Sequence, residues 1–448
     1  MGPSRYPTNH NPTTPIMTIT AKQQRYPAKA HARRVAEILG FKEGVVHVNG
    51  QVSQQYVGTD SEVPFRQDRT FFYLSGCDMA GCAVAYDIGA SVLVLYIPPV
   101  DPAQVLWSGM PPSLDECSQQ YDVDDVRYFY KLDDDLNSTK YAKPRILLAD
   151  VTSATNQART VKDKYEIGMI ERANEISTAA HTALLQAVKM AENEMELQGL
   201  FEGTCIARSG KQAYHPIVAG GRAASTLHYN KNNQPTKGKQ LMLVDAAAEF
   251  NCYCADVTRT FPISGKFTPE AKEIYDLVYG MQQSCFDMIK PGVSMVDVHL
   301  NAHKVAIRGL MKLGVLVDGS EDEIYESGAS TAFFPHGLGH ALGLETHDVT
   351  VATTAAHVQD RKLEYLRLKN NLEEGMVVTV EPGVYFNEFI LKAASEAKYA
   401  KYINFDAAHR YMDVGGVRIE DDVVVTGDGH YNLTRAPKET EEIERLVL

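Results

Sequence analysis

No stretch of the chain approaches the roughly 18 consecutive apolar residues that a membrane-spanning helix requires. The opening MGPSRYPTNHNPTTPIM lacks the apolar core of a secretory signal, and residues 1–20 are expected to form a disordered tail. Cysteine is scarce and unpaired: seven residues, an odd number without CxxC spacing, argue against both a disulfide framework and a structural zinc site. Cys252 and Cys254 alternate along an expected strand and are read as two reduced side chains on one face of a sheet, which places the protein in a reducing, cytosolic compartment. Basic charge is also in short supply. Against 57 Asp and Glu stand 44 Lys and Arg, a formal net charge of −13. Such a balance argues against a surface that binds nucleic acid by displacing counterions from phosphates. Tandem repeats at solenoid periods are missing, as are low-complexity tracts beyond the tail. What is present is a chain of 448 residues, enough for two or three domains.

Residues 21–160 alternate helical and extended stretches. Their apolar runs VVHV, CAVAY, VLVLYI and RILLA read as buried strands of a smaller α/β domain. From Lys162 the pattern shifts: Ile167, Ile170, Ala173, Ile176, Ala180, Leu184 and Val188 recur at helical steps and predict a long amphipathic helix. A second helix is punctuated at both ends, with Thr268 as cap, Pro269 at the first position, Glu270 beside it, and Lys290-Pro291-Gly292 as the stop. A third is expected from Ser294 through Val298, Val305 and Leu310. Strands between and after these helices give residues 161–448 an α+β character, with helices covering one curved antiparallel sheet.

Five residues able to bind metal sit in short, distinctive phrases of that second half: Asp245 in LMLVDAAAEF, Asp256 in CADVTRTF, His340 in FFPHGLGHALG, Glu381 in VTVEPGVYF and Glu420 in GGVRIEDDVVVT. Four of the phrases put an acid within or at the end of an apolar run, and a carboxylate on a buried strand is costly unless it is paired or coordinates a cation. Four carboxylates and one imidazole make the hard, oxygen-rich set that suits Mn, Co, Zn or Mg, and together they suggest a two-metal hydrolase. Asp245 and Asp256 stand eleven residues apart, the length of a hairpin that would turn both toward one cavity. Glycines 337, 339 and 343 around His340 would let backbone approach a ligand closely. Pro382 and Gly383 turn the chain after Glu381. Glu420 precedes Asp421 and Asp422 in a segment that would repel itself without a cation nearby. Arg418, two positions before Glu420, would face the same cavity on a strand.

These phrases resemble the pita-bread metallopeptidases, and within them the proline-specific branch that contains prolidase and aminopeptidase P. The likeness covers nearly the whole chain: FRQDRTFFYLSG resembles the signature of that branch's N-terminal creatinase-like domain, and KDKYEIGMIERANEIS the helix that opens its catalytic domain. The resemblance implies an α/β N-terminal domain, a pita-bread catalytic domain and two divalent ions, Mn²⁺ by preference with Co²⁺ or Zn²⁺ possible. In it Asp245 would chelate one ion, Asp256 and Glu420 would bridge both, and His340 and Glu381 would complete the other. Glu381 would also move the proton to the leaving nitrogen. His228, His336 and His347 would hold the substrate carbonyl, stabilise the oxyanion or meet the carboxylate of proline, and Arg418 would orient the bridging acid or contact substrate. Tyr214 would line the proline pocket, with a core tyrosine as the alternative.

Arg367, 14 residues before Glu381, stands where prolidases resemble one another in carrying an arginine that clamps the free carboxylate of a dipeptide. That favours an Xaa-Pro dipeptidase, with an Xaa-Pro aminopeptidase acting on longer peptides as the alternative and a solvated basic face as the plain reading of Arg367. Trp107, the only tryptophan, would enter the partner's active site in a homodimer, or else be a core residue. One departure is DAAAEF, where the family is often glycine-rich; Ala246 to Ala248 are expected to alter the turn or tighten the cavity. From another class, the same fold serves as a catalytically silent protein-binding module, but such modules lose ligands and here the set is complete.

Overall fold

The computed structural model describes residues 25–138, 144–350 and 360–447, so the expected 1–20 tail lies outside the described residues. Its N-terminal part is built on a four-stranded sheet. Strands Val45–Asn49, Ala83–Asp87 and Val92–Ile97 pair antiparallel in that order, and Asp125–Tyr128 adds in parallel at the edge. The first three coincide with apolar runs of the sequence, but RILLA does not supply the fourth. There Arg145 makes a single bridge to Val45 before the chain enters the helix Leu148–Thr160, with Leu147 and Leu148 exposed. The true edge strand escapes a hydrophobicity reading because only Val126 of its four residues is buried. Helices Ala28–Leu39, Arg69–Ser75 and Leu148–Thr160 pack together on this sheet.

The second half follows its helical punctuation closely. The long helix is Lys164–Ala187, opened by a capping box between Asp163 and Glu166, with Ile170, Ala173, Ile176, Ala180 and Leu184 buried. Thr268 caps Pro269–Phe286 and Ser294 caps Met295–Lys312. The antiparallel sheet these helices cover is open and broken into short pieces. One comprises Thr258–Pro262, Leu241–Asp245 and Ile217–Gly220, and another Val377–Val380, Asp421–Val425 and His430–Asn432. Gly383–Tyr385 pairs with Gly416–Arg418, and single bridges, Thr258 to Glu420 and Ala341 to Val378, stitch the pieces into one curved surface. Among the described residues no helix is long and apolar enough to cross a membrane.

Between Asp245 and Asp256 the expected hairpin is a hairpin within a hairpin. Asp245 pairs with Thr258 on the outer ladder, while Ala248–Phe250 and Tyr253–Cys254 form an inner ribbon beside Lys211–Gln212. Asn251 and Cys252 form its turn with φ of 47° and 66°, the left-handed pair that matches strand twist in a two-residue hairpin. Cys252 is therefore a turn residue rather than a strand neighbour of Cys254, although all seven cysteines are buried and free.

Candidate metal centre

Five separate segments bring the candidate ligands to one place. Asp245 ends its strand, Asp256 lies just before Thr258–Pro262, Glu381 follows Val377–Val380, and Glu420 lies between Gly416–Arg418 and Asp421–Val425. With His340 they line a cavity of about 570 Å³. Ligand atoms of Asp256, His340 and Glu420 all lie within 4.8 Å of one another. His340 Nε2 is 3.3 Å from Asp256 Oδ2 and 3.5 Å from Glu381 Oε1.

Backbone contacts fix the imidazole. The His340 N–H donates to Thr379 Oγ1 at 3.1 Å, and Nδ1 lies 3.0 Å from the Ala341 carbonyl. Nδ1 thus carries the proton, leaving Nε2 aimed at the acids, the arrangement that orients a ligating histidine. Gly337 and Gly339 line the cavity, as expected, and also let the chain pack closely behind it. A Cβ on Gly339 would come within 2.0 Å of the Thr379 carbonyl oxygen, and one on Gly337 within 2.7 Å of that of Tyr365.

Around the acids lies a hydrogen-bonded shell in which Arg418, His336 and Tyr214 were expected and Thr258 and Tyr385 were not. Arg418 donates to Asp245 Oδ2 at 2.5 Å, to Thr258 Oγ1 at 3.1 Å and to Tyr385 Oη at 2.9 Å. The Thr258 hydroxyl donates to Glu420 Oε2 at 2.6 Å. Tyr385 Oη lies 2.8 Å from His336 Nε2, whose Nδ1 is 2.8 Å from the Gly337 carbonyl. Both nitrogens of His336 are therefore engaged within the protein. Tyr214 does not line the cavity; its hydroxyl sits behind the wall, 2.6 Å from both Asp245 Oδ1 and Asp256 Oδ1, so the proline-pocket expectation is replaced by a contact to two candidate ligands. Thr258 in DVTRTF and Tyr385 in EPGVYF lay in phrases already singled out, but alternation along a strand gave no reason to prefer them.

The segment that would repel itself without a cation nearby has protein cations at Asp421. Asp421 is held by Arg259 at 2.7 Å, by Lys438 at 2.5 Å and by Asn432 at 2.7 Å. Despite burial, Lys438 and Arg259 bring its carboxyl down to about 2. Asp422 turns the other way and accepts from the Asp256 N–H and from Asn174 Nδ2. Ala246 to Ala248 are fully buried away from the cavity. Ala246 contributes its carbonyl to His181, and the Ala248 N–H donates to Ser177 on the long helix.

The acids of the cavity differ from Asp421 in lacking enough protein cations. Burial, with the like charges of its neighbours, raises Glu381 to about 7. The same causes raise Glu420 well above the usual carboxylate range, and burial with Asp245 raises Asp256 despite its hydrogen bond to His340. For His340 burial opposes the charge, but the bond to Asp256 and the nearby Glu381 prevail and lift it to about 9. Crowded carboxylates that hold protons for want of positive charge are the condition a pair of dications relieves, so the donor set fits such ions.

His228, His336, His347 and Arg367 also line the cavity, together with the apolar Leu227, Leu366 and Ile390. The His347 ring meets His340 edge-on at 4.5 Å between centroids, and burial beside His340 and Arg367 lowers it to about 4. Trp107 is not brought to this cavity. It is 80% exposed on the helix Pro102–Ser108, which excludes the core reading.

Residues 168–427 match metallopeptidase family M24, and residues 30–147 match the aminopeptidase P N-terminal domain. The chain is 46% identical to a probable Xaa-Pro aminopeptidase of Sordaria macrospora, over 97% of this chain and 99% of that one. Among solved structures it resembles the aminopeptidase PepP of Pseudomonas aeruginosa, at 30% identity and a TM-score of 0.77 over 94% of this chain and 98% of that one. It also resembles aminopeptidase P from E. coli with the inhibitor Pro-Leu, at 27% identity and a TM-score of 0.78 over 95% and 99%. These likenesses fall on the aminopeptidase alternative rather than on the dipeptidase preference drawn from Arg367.

Proposed function

The chain belongs to metallopeptidase family M24, and from that premise we propose that it is an Xaa-Pro aminopeptidase that removes one residue ahead of a proline, with Asp245, Asp256, His340, Glu381 and Glu420 holding two divalent cations. The observation that carries this reading is the convergence of four acids and one imidazole, from five segments, on one cavity that also has apolar walls. Bound there, two cations supply Lewis acidity toward a peptide carbonyl and make a water acidic enough to ionise near neutral pH.

The protein's own groups do the rest. Glu381, which lines the cavity at its acidic wall, is the group that can take up a proton and release it to the leaving nitrogen, which in an Xaa-Pro bond is the ring amine. His347 is neutral at physiological pH and faces the cavity beside His340, where a neutral imidazole can hold the peptide carbonyl or its developing charge. His228 also lines the cavity. His336 acts within the protein, as a link from Arg418 through Tyr385 toward Glu381 Oε2, 3.8 Å from its Nδ1. Leu227, Leu366 and Ile390 offer the apolar surface a proline ring requires.

Manganese is the proposed ion, on the resemblance of the ligand phrases, with zinc and cobalt as competitors. The proposed assembly is a homodimer. It is supported by the exposed apolar group of Leu106, Trp107 and Met110, an arrangement uncommon on a surface without a partner. Cytoplasmic residence is supported by the seven free cysteines.

A second reading, dipeptide hydrolysis, is favoured by one observation: Arg367 lines the cavity, where it can meet a free carboxylate. Product analysis after incubating manganese-loaded protein with Ala-Pro and with Ala-Pro-Ala-Ala, each beside a chelator-treated control, separates the two. Chelator-sensitive release of alanine from the tetrapeptide supports the aminopeptidase. Cleavage of the dipeptide alone replaces it with the prolidase reading, and cleavage of neither, with metal bound, overturns both.

A further inference from the structure

His347 lies between two acids, Glu345 and Asp348, and both are gripped by cations from the first 162 residues of the chain. On one side Arg69 Nη2 is 2.7 Å from Glu249 and its Nε 3.5 Å from Glu345, while Arg66 bridges the same two acids. These arginines belong to FRQDR, a phrase for which the cavity itself has no use. On the other side Arg159 Nη2 meets Asp348 Oδ1 at 2.6 Å and Lys162 Nζ meets Oδ2 at 3.0 Å, with all three side chains at most 5% exposed. Arg159 lies on the helix Leu148–Thr160, and Lys162 on the connection into the long helix.

Backbone contacts tie Asp348 to the metal wall as well. Its N–H donates to the Ala341 carbonyl at 2.9 Å, the same oxygen that His340 Nδ1 approaches at 3.0 Å. The loop is folded around the carboxylate: a Cβ on Gly343 would lie 2.3 Å from Asp348 Oδ2. Burying three charges costs several kcal/mol per ion before their attraction is counted, and apolar side chains of similar volume would hold two domains together at least as well. What an ionic cluster adds is register, because carboxylate and guanidinium accept few relative positions. His347 is the cavity-lining residue that adjoins this cluster in the chain.

We propose that Asp348 and Glu345 are positioning residues for His347, and that Arg159, Arg69 and Arg66 of the N-terminal domain, with Lys162 on the connection that follows it, set that imidazole over the metal-binding wall. The inference rests on the peptidase reading of the cavity and deepens it: the N-terminal domain is part of the catalytic apparatus without supplying a group that touches substrate.

The test uses full-length protein and the isosteric variant Asp348→Asn. In carbon–proton spectra of histidine-labelled, zinc-loaded protein, the His347 ring signal, assigned by its loss in His347→Ala, should be displaced or broadened, while those of the buried His181 and His303 stay in place. In kinetics, Asp348→Asn should lower kcat/KM for an Xaa-Pro tetrapeptide by roughly tenfold to a hundredfold, the scale of a small misplacement of a reacting group. In a His347→Ala background the same change should cost less than about twofold, because what it positions has gone. Glu345→Gln, at a partly exposed position, should show the same dependence on His347 with a smaller effect, and it carries the test if Asp348→Asn does not fold. An unmoved His347 signal, or equal losses in both backgrounds, overturns the inference while the peptidase reading stands. Absence of Xaa-Pro cleavage by the unaltered protein overturns that reading and the inference with it.

Discussion

Arg418 and Asp245 are joined by a 2.5 Å hydrogen bond between Nη2 and Oδ2, so the guanidinium that backs the acidic wall is committed to one candidate ligand while its other nitrogens reach Thr258 and Tyr385. Replacing it strips orientation from Asp245 and positive charge from the cluster at once. In Arg418→Met we expect manganese affinity to fall by roughly 10- to 100-fold, the range seen when partners of metal ligands are lost. Calorimetric titration of chelator-stripped protein measures it, and an unchanged affinity would assign Arg418 to substrate alone.

Glu420 tests the metal reading from the opposite direction. Its carboxyl is raised well above the usual range by burial and by Asp256, Glu381 and Asp245, so in metal-free protein its charged form is disfavoured and a neutral amide is a close substitute. Glu420→Gln keeps an oxygen to accept from Thr258. Metal-free stability should therefore change by less than about 1 kcal/mol, as for other near-isosteric changes. The stabilisation on adding metal, about 2.7 kcal/mol at a hundredfold excess over Kd, should largely disappear. Thermal melts with and without manganese decide it; an unaltered increment would remove Glu420 from the ligand set.

The same groups give metal-free protein an unusual response to pH. Glu381, raised to about 7, holds a proton in the folded chain that it has lost in the unfolded chain above about 4.5, so its contribution fades as pH climbs through 7. His340, raised to about 9, contributes below its ordinary 6.5 and loses that contribution as pH rises through 9. Both act in one direction. Asp421, at about 2 when folded, gives stability that is lost only as pH falls below its usual 3.8, so it is constant in this window. His181, His299, His336 and His347, lowered to between about 3 and about 4 chiefly by burial, add stability as pH rises toward 7 and then stop, so the fall is read above them. Urea midpoints of chelator-treated protein should decline between about pH 7.5 and about 9.5 as His340 loses its proton, by an amount that manganese reduces. A flat or rising profile would contradict the crowding of these acids.

The sequence revealed which residues meet but not what holds them. Asp245, Asp256, His340, Glu381 and Glu420 could be picked out because each is anomalous in its own phrase, a charge at the end of an apolar strand or a histidine among glycines. Their supports carry no such mark. Arg259, 1% exposed, donates to Thr258, Glu420, Asp421 and Ala436, yet in DVTRTF it reads as an ordinary outward residue of a strand. Tyr214 was legible as a neighbour of the site, but whether it faced the cavity or the back of its wall depended on pairings some 30 to 40 residues distant. The misread strand at RILLA has a related cause, since hydrophobicity reports burial and not pairing, and an edge strand needs little of the former.

Trp107 offers the last test, because among the described residues nothing in its own chain covers it. The helix Pro102–Ser108 is capped by Asp101, opens with Pro102 and buries none of its residues. Leu106 and Met110 beside Trp107 are 82% and 74% exposed. A tryptophan left in water forfeits the burial that usually stabilises one. If a second copy covers this helix, Trp107→Ser should leave each subunit's own stability within about 0.5 kcal/mol, as for other exposed positions, while lowering the mass seen by sedimentation at micromolar concentration. Should the side chain also border the partner's cavity, the ratio of tetrapeptide to dipeptide cleavage will change in the same variant. A dimer of undiminished strength with an unaltered substrate profile would remove Trp107 from both assembly and specificity.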